Sequence, residues 1–250
     1  MAVWPDGVER LILDEVDSTS AEAARRAPEH PTWILARRQS AGHGRRGRAW
    51  SMPEGNFAAS LAWRPGGGPA ALALRSFVAS LALHDALGFL DVQGLSLKWP
   101  NDVLLEDRKL AGILLESPGD SLLILGIGLN LIAAPDAADL EWTALAPISL
   151  LEATGLRLTP EALLDALAPA FARREDQFQT DGFAPIRNAW LAHAAHLGET
   201  ITARTMADTI IGTFEDVEDS GHLVLGTPNG PRTIPAADIF FDTTIPAPCS

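Results

Sequence analysis

Leu11, Ile12, Leu13 and Val16 make residues 10–17 a short strand, and the polar Asp17-Ser18-Thr19-Ser20 run ends it before a helix-like stretch at 21–27. Thr19 and Glu22 have the spacing of a capping box at that helix's start. Residues 31–38 and 56–63 read as buried strands, the second closed by Gly66-Gly67-Gly68. Residues 69–90 are apolar on most faces and predict a long, well-covered helix. A strand at 95–99 stops at Pro100; strands at 110–116 and 122–131 follow, joined by the turn Pro118-Gly119-Asp120. Helices are predicted over 160–178 and 183–197. Strands and helices mix without strict alternation, which favours an α+β fold with a mixed sheet over a doubly wound one.

The pattern changes near Leu197-Gly198. Short strands at 200–204, 210–215, 223–226 and 232–235, with turns at Asp219-Ser220-Gly221 and Asn229-Gly230, predict a small β-barrel. The division expected is therefore 1–197 and 198–250.

Composition narrows the function classes. The 250 residues are 47% hydrophobic and 20% charged, ordinary for a globular chain. The single cysteine, Cys249, excludes an intrachain disulfide or a cysteine-based zinc site and suggests a reducing, cytoplasmic setting. The first ten residues have no apolar core and do not read as a secretory signal. No apolar run is read as membrane-spanning, since the stretch after Pro69 is broken by Arg75. A net charge of −13 argues against nucleic acid as the main partner. Of the 19 basic residues only Lys98 and Lys109 are lysines. In so arginine-rich a chain, they mark places where a compact ammonium is needed, unless they are accidents of composition.

Three clusters carry chemistry. Between Glu29 and Glu54 there is no acid, yet this stretch holds Arg37, Arg38, Arg45, Arg46 and Arg48 interleaved with Gly42, Gly44 and Gly47. Such a positive island suits an anionic small molecule, with backbone N–H groups and guanidinium groups wrapping phosphate or carboxylate; the alternative is a solvated basic loop. Gly42-His43-Gly44-Arg45-Arg46-Gly47 also matches a dinucleotide fingerprint, but Pro53 and Gly55 follow closely and residues 55–84 contain no ribose-binding acid before Asp85. That reading is rejected. The second cluster is Lys98-Trp99-Pro100-Asn101-Asp102, with Lys109-Leu110-Ala111-Gly112 beyond it. Asn101-Asp102 read as a polar turn, and the lysines and carboxylate can face one pocket from adjacent strands. The alternative is a hairpin with a plain Asx turn. The third is Gly126-Ile127-Gly128-Leu129-Asn130, a strand whose alternate glycines admit close approach on one face, or merely pack. His84, His193, His196 and His222 lack metal-ligand spacing, with His193 and His196 reading as a surface pair, and Trp4, Trp33, Trp63, Trp142 and Trp190 read as core or rim packing. Neither a P-loop nor a G-x-S-x-G elbow occurs.

Together these blocks, with Asp17-Ser18-Thr19-Ser20 and Gln39-Ser40-Ala41 through Arg48-Ala49-Trp50, resemble the biotin protein ligases, from about Glu15 to the C-terminal strands. The resemblance implies a class II aminoacyl-tRNA synthetase/biotin synthetase-like catalytic sheet and an SH3-like C-terminal barrel. It implies an enzyme that joins biotin to ATP as biotinyl-5′-AMP, with Mg²⁺, and passes the biotinyl group to a lysine of a biotin carboxyl carrier protein. Ser18, Thr19, Ser20 and Gln39 would hold the ureido end of biotin, and Gly42, His43, Gly44 and Gly112 would line its site. Lys109, Arg45 and Asp102 would be catalytic, the first two also touching biotin, with Asp102 near the reacting phosphate or metal. Arg45, Arg48, Trp50, Lys98, Asn101 and Asn130 would border ATP or the adenylate. Edge-to-edge homodimers are implied, while the few residues before Asp17 leave no room for a DNA-binding module, so neither DNA nor a membrane is expected as a partner. His43 stands where the family often has arginine, which predicts weaker or pH-dependent loop closure or intermediate retention. A lipoate-handling ligase, a biotin sensor without turnover and a nucleic-acid-binding module are the rival readings.

Overall fold

Seven strands form a sheet in the order β1-β2-β3-β7-β6-β5-β4. They are β1 (Glu9–Val16), β2 (Thr32–Gln39), β3 (Phe57–Trp63), β4 (Leu95–Lys98), β5 (Asp102–Leu105), β6 (Arg108–Gly119) and β7 (Leu122–Leu129). The computed structural model describes residues 3–119, 121–136 and 145–241. β1 and β2 are parallel, joined through helix α1 (Thr19–Arg26), and the other neighbours are antiparallel, so the sheet is mixed as expected.

Strand parity sorts the two faces. Trp33 and Leu35 of β2, Phe57, Ala59, Leu61 and Trp63 of β3, and Leu123, Leu125, Ile127 and Leu129 of β7 point into the main core. That core is closed by α3 (Arg75–Phe89) and α5 (Pro160–Asp181), with α6 (Phe183–Leu191) beside them. Ile34, Ala62, Leu122 and Ile124 point the other way, onto Ala23 of α1. On that second face the strand centres carry small residues instead: Ser60, Gly126, Gly128 and Gly112. The sheet is thus thickly covered on one side and left with a shallow floor on the other.

Several expectations are corrected. The cap of α1 is Ser18, whose Oγ accepts from the Ala21 N–H at 3.4 Å, while Glu22 turns to Arg25 and Arg26 rather than closing a box with Thr19. Asp102 opens a four-residue strand instead of ending a turn, because a strand that short shows no legible alternation. The long helix breaks at Leu74 into α2 (Pro69–Ala73) and α3. Residues 69–89 are, by length and composition alone, long and apolar enough to cross a membrane, contrary to the sequence reading. In the fold most of that stretch is buried, and the Arg75 guanidinium donates to Glu175 at 2.8 and 3.0 Å under the helix surface. The last helix ends at Leu191, after which His193–Ala195 run beside β4: Leu97 N–H donates to the His193 carbonyl and Ala195 N–H to that of Leu97, both at 2.8 Å, covering the sheet's edge. The short helix α4 (Leu150–Thr154) had no reading in the sequence. Trp142, Cys249 and Asp120 of the expected turn lie outside the described residues.

The C-terminal part is a five-stranded antiparallel sheet in the order β11-β10-β9-β8-β12. Its strands are β8 (Thr200–Arg204), β9 (Thr209–Val217), β10 (Leu223–Thr227), β11 (Gly230–Ile234) and β12 (Asp238–Phe240); only β12 was unread. It docks through specific polar contacts. The Trp99 indole N–H donates to the Gly221 carbonyl at 3.0 Å, and Arg187 of α6 donates to Asp216 at 2.7 Å.

His193 is not paired with His196. Its ring lies 4.0 Å from that of His84, while the ring of His196 stacks on Phe241 at 3.8 Å. Burial, with help from His193 and Arg174 and against Asp85, holds His84 below its ordinary pKa of 6.5. A histidine so depressed supplies stability above pH 6.5 that is lost as pH falls through its folded value, because the unfolded chain then takes the proton more readily. The expected result is that His84→Gln flattens the fall in thermal midpoint between about pH 7 and 5. A fall as steep as in the parent chain would place the acid-sensitive group elsewhere.

Candidate active site

The floor is built by glycines. Gly112 of β6 and Gly128 of β7 are cross-strand partners, and the Trp50 ring lies across both. A Cβ on Gly128 would stand 2.4 Å from Trp50 Cε2, and one on Gly112 would stand 3.3 Å from its Cζ3. One step along β7, a Cβ on Gly126 would meet Ser20 Oγ at 2.7 Å. Alternate glycines here have a steric reason, since side chains from elsewhere occupy the space a Cβ would need.

At one end of this floor sits a hydroxyl and amide cluster. Gln39 Oε1, at the end of β2, accepts from the Thr19 backbone N–H at 2.7 Å and its hydroxyl at 3.1 Å. Ser60 Oγ donates to Thr19 Oγ1 at 2.8 Å and lies 3.0 Å from Ser20 Oγ. Ser18, Thr19, Ser20 and Ser60 are all buried. Ser60 went unnoticed in the sequence, although one hydroxyl in the apolar strand β3 was the available signal. Upstream of the cluster, Asp17 accepts from the Ser18 N–H and from Arg25, and those bonds hold its carboxyl well below the usual carboxylate range.

At the other end lies a charged cluster. Lys109 Nζ is 2.8 Å from Asp102 Oδ1 and 5.9 Å from the centre of the Trp50 ring. A bulge in β6 makes this possible. Val103 pairs with Ala111 but Leu104 pairs with Lys109, so Leu110 is the extra residue. In a regular strand, positions 109 and 112 face opposite sides; here Lys109 Cε is 3.7 Å from the place a Gly112 Cβ would occupy. The bulge buries Leu110 in the core and turns the lysine onto the open face.

Lys98 and Arg45 complete the charge. Burial pushes the Asp102 carboxyl up, but Lys109, Lys98 and Arg45 more than offset it, so it stays ionised below its ordinary value. Burial lowers Lys98, with Asp102 opposing. Burial also lowers Arg45, whose NH1 donates to Asn101 Oδ1 at 3.2 Å. Asn101 in turn donates from Nδ2 to the Ile113 carbonyl at 2.5 Å. The two lysines of the chain therefore meet at one carboxylate.

The remaining residues frame this trough. A Cβ on Gly42 would strike Gln39 Nε2 at 2.7 Å, and Gly44 N–H donates to the Arg48 carbonyl at 2.8 Å, closing the arginine loop on itself. His43 Nε2 stands 3.3 Å from Glu116 Oε1. Arg48 turns outward, with NH2 3.3 Å from Asp238 Oδ2. Asn130 is buried, donates to the Ile148 carbonyl at 3.2 Å and leaves Oδ1 without a hydrogen-bond partner among the described residues. A separate cavity of about 400 Å³ lies between Arg108, Ile132, Ala133, Pro147 and Glu152, and none of the residues singled out in the sequence lines it.

Residues 14–130 match the Biotin/lipoate A/B protein ligase family, and residues 196–242 match the Biotin protein ligase C terminal domain. The biotin--[acetyl-CoA-carboxylase] ligase of Paracoccus denitrificans is 54% identical over 238 residues, covering 92% of this chain and 99% of that one. The chain belongs to the biotin protein ligase family. It is an enzyme family, and other members extend the likeness. The bifunctional ligase/repressor BirA of Escherichia coli (strain K12) is 30% identical over 230 residues, covering 88% of this chain and 70% of that protein. The biotin protein ligase from Aquifex aeolicus in complex with biotin and ATP superposes with a TM-score of 0.82 at 26% identity, covering 92% of this chain and 97% of that one. The α+β fold read from the sequence, a mixed sheet followed by a C-terminal antiparallel sheet, is the fold of these ligases.

Proposed function

We propose that this chain activates biotin with ATP as biotinyl-5′-AMP, releasing pyrophosphate, and transfers the biotinyl group to a lysine of a biotin carboxyl carrier protein. The observation that carries the reading is the bulge-directed Lys109 beside Asp102, Lys98 and Arg45, at one end of a trough floored by glycine. Attack of the biotin carboxylate on the α-phosphorus brings two anions together and builds charge on the phosphorus. Fixed cations that need no reorganisation lower that barrier. Lys109 supplies the charge at the reacting oxygens, Asp102 holds its ammonium in place, and Lys98 adds to the positive field. The Thr19–Gln39–Ser60–Ser20 cluster, capped by Ser18, offers donors and acceptors for the ureido ring, with Gly42, His43, Gly44 and Gly112 along the biotin chain. Trp50, Asn101 and Asn130 border the adenylate, and Arg48 adds positive charge at the rim of the phosphate site. In the second step the carrier's lysine amine attacks the acyl carbon and AMP leaves.

ATP enters as a substrate with Mg²⁺. Among the described residues the metal finds no cage: Asp102 is engaged by Lys109, and no group of three acidic, histidine or cysteine side chains gathers. Residues 1–197 serve as the catalytic part and 198–250 as the C-terminal unit of a cytoplasmic enzyme.

Pyrophosphate release dependent on both biotin and ATP, with streptavidin detection of an added carrier domain, tests the reading. Biotin binding without pyrophosphate would instead favour a sensor. Arg45→Gly separates the loop's part from the chemistry. It removes the contact to Asn101 and leaves the Lys109–Asp102 pair intact. The first turnover should fall less than tenfold while escape of the intermediate rises by more, because a closed loop shields a hydrolysable anhydride. Tight retention in that variant would contradict closure by Arg45.

A further inference from the structure

The arginine loop has no acid of its own, since none occurs between Glu29 and Glu54. Its counter-charge comes from the far end of the chain. Arg46 NH1 is 2.5 Å and Arg48 NH2 3.3 Å from the same oxygen, Oδ2 of Asp238, the first residue of β12. Asp238 is the less exposed partner in both pairs. Its backbone is fixed by antiparallel pairing opposite Arg204. Arg46 adopts a left-handed conformation, φ 57°, which an arginine does not favour without an outside contact to hold it. While Arg46 and Arg48 face outward to β12, Arg45, directly before them in the chain, faces inward to Asn101. The same segment touches the site again, with the Phe241 ring 5.5 Å from Lys98 Nζ.

We propose that Asp238 is a positioning residue that staples the arginine loop to the C-terminal sheet, holding Arg45 turned toward Asn101 and the Lys109–Asp102 pair. The loop's shape does not depend on what the enzyme makes; the catalytic consequence rests on the adenylate-forming reading above. Through this staple the C-terminal sheet becomes part of the lid. Its docking and the enclosure of the intermediate are then one event.

The test uses the full chain carrying Asp238→Asn, Asp238→Glu or Arg46→Met. Trypsin cuts after arginine, so the rate of nicking after Arg45 and Arg48, read by mass spectrometry, reports loop opening without reference to catalysis. Partly exposed ion pairs are individually weak, so Asp238→Asn should speed nicking about fivefold and Asp238→Glu should restore most of the protection. Escape of biotinyl-5′-AMP should rise by a similar factor in Asp238→Asn, and adding Arg46→Met should bring little further change, because Asp238→Asn already removes the contact that Arg46→Met breaks. Nicking at the parent rate in Asp238→Asn, with an unchanged thermal midpoint, would overturn the proposal. So would full additivity of the two substitutions. If Asp238→Asn does not fold, Arg46→Met breaks the 2.5 Å contact from the loop side and leaves the longer Arg48 contact, and nicking after Arg45 at the parent rate in that variant would overturn the proposal. A parent chain that releases no pyrophosphate would defeat the functional reading, while the nicking rates would still decide the staple.

Discussion

Lys109→Ala is expected to lower biotin-dependent pyrophosphate release about 10²- to 10³-fold, the usual cost of losing one preorganised group at a developing charge. The substitution has a second consequence. Asp102 loses the ammonium at 2.8 Å, and burial then pushes its carboxyl back up, with Lys98 and Arg45 left to oppose it. The loss should therefore exceed that in Asp102→Asn, which leaves the lysine present but less firmly held. Lys109→Arg should rescue poorly, because a planar guanidinium replaces the compact ammonium that sits 2.8 Å from Asp102. Single-turnover measurement of pyrophosphate against biotin concentration checks all three. A Lys109→Ala chain with the parent rate would remove this lysine from the mechanism.

Gly128→Ala should be nearly as damaging, for a steric reason. The backbone at Gly128 is ordinary strand, so alanine imposes no conformational strain there. The new Cβ, however, would overlap the Trp50 indole, which is rigid and meets Gly112 as well. The ring must leave the floor, disturbing the end of the arginine loop, where the Trp50 backbone N–H donates to the Gly42 carbonyl at 2.9 Å. Biotin affinity is expected to fall about a hundredfold, within the range set by forcing one extra carbon into a packed place and losing the contacts around it. Isothermal titration with biotin would show it, and the biotin-dependent change in total tryptophan fluorescence should shrink in step. A Gly128→Ala chain that binds biotin as the parent does would mean that the indole moves aside without cost. Gly126→Ala offers a contrast. Its Cβ clashes only with Ser20 Oγ at 2.7 Å, Ser60 Oγ lying at an ordinary 3.6 Å, and a hydroxyl can rotate away, so a smaller loss is expected there.

The local signals carried much of this architecture. Apolar runs predicted β1, β2, β3 and β7 within two residues of their ends and β6 within three, and the regular short strands of the C-terminal sheet were legible apart from β12. The Arg-Gly run, the two lone lysines and the paired glycines each named their residues, because such residue types are costly or unusual where nothing requires them. What periodicity could not carry was anything set by a partner distant in the chain. The β6 bulge that turns Lys109 toward Asp102 depends on β5, four residues too short to read. Ser60 joins the hydroxyl cluster only because β3 lies beside α1. Asp238 stands 192 residues from Arg46, in a three-residue strand with no pattern of its own. The sequence by itself determined which residues are chemically exceptional and where most of the longer strands and helices run, since both are local properties of side-chain type and spacing. Only the tertiary structure decided which face each residue occupies and which charges meet, because a single bulge reverses a side chain's direction and an ion pair acts through space rather than along the chain.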